Sequence, residues 1–155
     1  MSEAIESGPG WQMDRTTLRP RITDAVAFRA DRAQDPFCEV LLALWGGDPQ
    51  TAETLLAEQS VSFRTRALGA DALRDQGRLE EAIAAYRELQ ASSPAGAQSL
   101  LAYHLGVALV EAKRWDEAMR ELSQALALRQ SGGSSAETLD STRHALTVAK
   151  SRSGR

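Results

Sequence analysis

One helix-forming stretch occurs twice in this chain. Residues 63–95 read FRTRALGADALRDQGRLEEAIAAYRELQASSPA, and residues 99–130 read SLLAYHLGVALVEAKRWDEAMRELSQALALRQ. A shift of thirty-six positions sets Ala82 on Ala118, Ala70 on Gly106, Leu73 on Leu109 and Leu79 on Trp115. Tyr86 then falls on Leu122 and Leu89 on Ala125. Self-similarity at such a period marks stacked supersecondary units, each too small to bury its apolar face alone.

The apolar spacing within each copy is helical. Leu79, Ala82, Ile83, Tyr86 and Leu89 fall on one side of a helix, with Glu80, Glu81, Arg87 and Glu88 on the other. Leu101, Leu105, Ala108, Leu109 and Ala112 form the same stripe in the second copy. Gly106 sits in mid-helix, where glycine loses about 1 kcal/mol against alanine, so a close backbone crossing is expected there. Trp115 opens the second helix of its pair and is expected to cap the core between helices.

These residues resemble the tetratricopeptide repeat. Small side chains stand where its two helices cross (Ala70 and Ala82, then Gly106 and Ala118), and Leu105-Gly106 keeps its Leu-Gly pair. Gly77 occupies the loop glycine, Tyr86 the aromatic position and Pro94 the terminating proline. The chain departs from the pattern at Arg66 and Ala102, where the family often has Trp, and at Lys113 and Gln130, which replace loop glycine and proline. It is also similar to the small bacterial group-5-like tetratricopeptide proteins, which join short repeats to a variable N-terminal helical region. The resemblance implies an all-α fold, an antiparallel array of helix hairpins in a short right-handed solenoid closed by a C-terminal capping helix.

The remaining elements follow from caps and breaks. Residues 1–18, rich in Gly, Ser and Thr, predict a loose tail, in which Trp11 docks back on the domain, meets a partner or stays exposed. The helical domain is expected over 19–150, with Pro20 opening a helix whose Ile22, Val26 and Ala30 share a side. Asp35-Pro36 and Asp48-Pro49 are cap-plus-proline starts, so 35–60 predicts a further, degenerate hairpin. The segment SGGSS supplies a break and an N-cap at Ser134 or Ser135, and 136–150 predicts the capping helix, with 151–155 frayed. Contacts in such an array lie mainly between sequence neighbours, which favours fast folding.

Composition excludes several classes. A net charge of −3 is unlike the strongly basic footprint of nucleic-acid binding, and the arginines of 15–32 are interleaved with Asp14, Asp24 and Asp31. No apolar run is long enough to cross a bilayer, and the acidic start lacks a secretory leader, so a cytoplasmic location is expected. The single Cys38 reads as a small buried thiol. Two histidines, His104 and His144, make a poor zinc set, and no phosphate loop or nucleophile elbow occurs, so no metal, cofactor or catalytic residue is assigned. An enzymatic reading would need His104 buried among acids in a pocket.

Function is therefore expected on a surface. In tetratricopeptide arrays the first helix of each pair lines a concave face that holds peptide or protein. By that resemblance the groove residues are Arg64, Ala67, Asp71 and Arg74, then Leu100, Tyr103, Val107 and Val110. Chaperone-binding members grip a terminal carboxylate with lysines and asparagines, and this chain contains no asparagine. The alternative is that Leu100, Val107 and Val110 are buried against the last helix or a second copy, making a self-assembling, homodimeric module.

Overall fold

The computed structural model describes residues 6–154. Eight α-helices are present among them: α1 (Ala25–Asp31), α2 (Cys38–Trp45), α3 (Pro49–Leu56), α4 (Phe63–Asp75), α5 (Leu79–Ser92), α6 (Gln98–Glu111), α7 (Trp115–Ser131) and α8 (Ala136–Ser153). Three strands precede them: β1 (Ser7–Gly8), β2 (Trp11–Asp14) and β3 (Arg19–Ile22), in one antiparallel sheet of order β1-β2-β3. Helices α2–α3, α4–α5 and α6–α7 pair in succession and α8 packs on α7, so the chain is an all-α helical-repeat array with a small N-terminal sheet.

The caps explain where helices begin. Asp24 accepts from the Ala27 amide and starts α1. Asp48 accepts from the Thr51 amide, with Pro49 in the first turn of α3. Ser62 and Thr65 form a reciprocal capping box at α4, and Ser135 caps α8. Asp35 holds the Phe37 amide at 2.9 Å, so Pro36 lies in a turn and α2 begins at Cys38.

The crossing residues lie inside. Ala70, Ala82 and Ala118 are buried, as are Tyr86 and Leu105. A Cβ added to Gly106 would stand 2.6 Å from Leu122 Cγ, which is why this position of α6 carries no side chain. Trp115 is half-buried at the margin of the core, a shallower seat than expected. The two inter-helix loops superpose the repeat in backbone as well: Gly77 has φ +80° and Lys113 φ +61°, the same left-handed turn.

The N-terminal region differs from expectation. Residues 6–18 do not form a loose tail, and Pro20 lies in a strand; residues 1–5 of that expected tail lie outside the described residues. Met13 pairs with Pro20 and Trp11 with Ile22. Asp14 Oδ1 accepts from the Thr16 and Thr17 amides, which folds the chain back and holds the Asp14 carboxyl below its ordinary value. Ile22, expected to share a helix side with Val26 and Ala30, lies in β3 instead; Val26 is exposed, while Phe28 is buried. At the other end α8 runs on through Ser153 to a left-handed Gly154, so 151–153 are helical; Arg155 lies outside the described residues.

Two apolar clusters result. The larger joins α4 to α8 and receives Leu18 from the β2–β3 turn. The smaller gathers Phe28, Phe37, Cys38, Val40, Leu41 and Leu44 with Leu68 and Ala72 of α4. Trp11 packs on Trp45 with ring centroids 5.2 Å apart, so this tryptophan docks back on the domain.

Candidate functional site

Helix α6 is apolar around most of its circumference, with His104 and Glu111 on one side, and the structure covers most of it. Tyr103, Val107 and Val110 are buried, in one cluster with Leu18 of the hairpin and Ala145 and Ala149 of α8. Most of the expected groove is therefore covered within a single chain. Leu100, 40% exposed, and Arg64, with 43% of its side chain exposed, are the exceptions.

What remains open is a cavity of about 250 Å³ between the hairpin and the faces of α4 and α6. Five of the eight expected groove residues belong near it: Arg64, Ala67, Asp71, Leu100 and Tyr103 line it. Val107 and Val110 do not reach it, and Arg74 lies behind its floor at 2% exposure. Trp11, Met13, Trp45, Phe63 and Arg129 also contribute, none of them assigned from the sequence. Phe63, 39% exposed, stands with Leu100 at the accessible edge.

The floor is a polar network. Arg74 donates from Nε to Asp75 Oδ1 at 2.9 Å and from Nη1 to His104 Nδ1 at 3.0 Å. The Tyr86 hydroxyl donates to Asp71 Oδ1, which lies 3.4 Å from His104 Nδ1. An arginine only donates, so Nδ1 of His104 accepts and its proton resides on Nε2. Burial holds His104 below its ordinary value, with Asp71 pulling the other way. Burial also pushes the Tyr86 phenol well up, keeping it a donor.

His104 is thus buried among acids, the arrangement an enzymatic reading would need. Its Nδ1 accepts from Arg74, and Asp71 Oδ1 accepts from Tyr86, so both are engaged within the network. The network reads as a satisfied structural charge cluster.

Arginines flank the cavity. Arg64 forms a bidentate pair with Asp35 at 2.8 and 2.6 Å and lies 4.5 Å over the Phe37 ring. Arg129 lies 4.8 Å over the Tyr103 ring and donates to Thr142 Oγ1 at 2.8 Å. Burial pulls the Arg129 guanidinium below its ordinary value and Glu6 opposes that.

Paired helices, small crossing residues and repeated left-handed loops define a helical-repeat array. The family model described as Tetratricopeptide repeat matches residues 73–138, from the end of α4 into α8, and supports a tetratricopeptide-repeat assignment for these units. No curated protein and no solved structure matches the chain. No helix among the described residues is long and apolar enough to cross a membrane.

Proposed function

We propose that this chain is a non-catalytic protein-interaction module, a scaffold or adaptor that holds a segment of another polypeptide on the α4–α6 face. Tetratricopeptide repeats generally mediate protein–protein interaction, and the cavity carries the reading to this face. It is lined mostly by apolar and aromatic side chains, with a few fixed polar groups at its floor. Its volume matches about eight waters, room for one large apolar side chain. Phe63 and Leu100 would bracket the chain that carries that anchor, and Arg64 would meet its polar flank.

The test is selection of displayed peptides on the full chain, repeated on Phe63→Asp and Leu100→Asp variants. Segments retained by the parent and lost by both variants are expected. Equal retention by all three refutes this face as the binding surface.

A second reading, self-association, draws on the same exposed Phe63 and Leu100. Sedimentation at low micromolar concentration separates the two: a strictly monomeric mass rejects the homodimer.

A further inference from the structure

The hairpin that covers this face is anchored through Trp11 and Ile22 of its strands and, separately, at its tip. Among the described residues no backbone–backbone hydrogen bond joins the turn 14–18 to a helix. Instead the Tyr103 hydroxyl donates to the Leu18 carbonyl at 2.8 Å, and Arg152 donates to the Thr16 carbonyl at 3.0 Å. His144 Nε2 lies 2.7 Å from the Arg15 carbonyl. Leu18 places its side chain in the main core although its φ is +63°, a left-handed conformation that disfavours a residue with a Cβ. Strain of this kind persists only where surrounding contacts impose it.

The next residue supplies charge. Arg19 reaches Asp75 Oδ1 of α4 at 2.5 Å and Glu111 Oε1 of α6 at 2.7 Å. Both carboxylates are largely buried, and Arg74 also engages Asp75 at 2.9 Å. Take Arg19 away and the two shielded carboxylates lose the one guanidinium that bridges them, leaving Arg74 on Asp75 and the longer-range charges of Arg74 and Arg152 on Glu111. The helices thus present a slot for an apolar side chain, a hydroxyl aimed at that residue's carbonyl, and an acid pair one residue on.

We propose that the α4–α6–α8 face recognises a turned segment of a partner protein carrying an apolar residue followed directly by arginine. Leu18-Arg19 is this chain's own copy of that pair, seated in cis and displaced when a partner binds. The proposal rests on the interaction-module reading and names the partner's chemistry. Arginine is specified over lysine because one planar guanidinium spans carboxylates on two different helices.

The probe is a fluorescein-labelled synthetic peptide with the sequence of residues 12–22, QMDRTTLRPRI, titrated into the full-length chain and read by polarisation. The full-length Arg19→Glu variant, whose own tip is loosened, should bind it at least tenfold more tightly than the parent. A peptide carrying the same Arg19→Glu change should lose that gain. Equal affinity of both chains, or of both peptides, overturns the proposal. Should the variant fold poorly, hydrogen exchange on the parent decides. Amides of β2 and β3 must open more readily than those of α6, and exchange only by global unfolding shows the hairpin to be a permanent wall. If segments selected through Phe63 and Leu100 carry no apolar–arginine pair and do not compete with the probe, this inference falls while the interaction module stands.

Discussion

Two glycines in first helices give the sharpest test of the packing. In Gly106→Ala the new methyl meets Leu122 Cγ at 2.6 Å and Cδ2 at 2.7 Å. Ordinary carbon contacts lie near 3.5–4.0 Å, so Leu122 must retreat by about an ångström. Leu122 is fully buried, and the clash involves its branch carbon, which cannot swing clear. Overpacking of this kind costs about 1–3 kcal/mol. Alanine returns about 1 kcal/mol of helix propensity, which leaves roughly 1 kcal/mol of net destabilisation. Gly69, in mid-α4, has nothing within 4 Å of an added Cβ. Gly69→Ala should therefore gain the full propensity term of about 1 kcal/mol. Urea denaturation followed by far-UV circular dichroism should separate the two variants by about 2 kcal/mol, with Tm moving a few degrees in opposite directions. A Gly106→Ala chain stabilised as much as Gly69→Ala would refute the close crossing of α6 and α7.

Lys113 adopts the left-handed conformation of its counterpart Gly77, so Lys113→Gly should raise stability by about 1 kcal/mol and Gly77→Ala should lower it comparably, both read as Tm shifts. Tyr86→Phe removes the donor to Asp71 and should cost about 1–3 kcal/mol in denaturation; an unchanged midpoint would mean that water replaces the bond. His104 is held below its ordinary 6.5 by burial, so the unfolded chain binds a proton that the folded chain refuses. Its stabilising contribution is full above about pH 6.5 and is lost as pH falls below that, which His104→Gln should flatten in a pH series of denaturation midpoints.

The repeats were legible because their evidence is redundant. Small residues, helical spacing and paired turns coincide at Ala70, Ala82, Gly106 and Ala118, and all four are buried. The N-terminal sheet was not legible, because β2 and β3 span four residues each, too few for an alternating pattern to stand out. Pro20 suits a helix start or an edge strand equally well, and its pairing with Met13 is settled by Leu18 entering the core. The groove assignment came from the family pattern, which includes no hairpin on that face. One signal did point the other way: in QSLLAYHLGVALVE, Tyr103, Val107 and Val110 extend the apolar surface over most of α6. On α8 the inward side is made by Thr142, Ala145 and Ala149, while Leu139 and Leu146 remain half-exposed.

The bonds from Thr16 to Arg152 and from Arg15 to His144 tie together positions 136 and 129 residues apart. Repeat arrays can ordinarily gain or lose a unit at little cost, since each meets only its neighbours. Here the β2–β3 turn must reach α8, so that contact depends on the number of units between them. Inserting another hairpin anywhere between α4 and α8 would carry His144 and Arg152 out of reach and unfasten it.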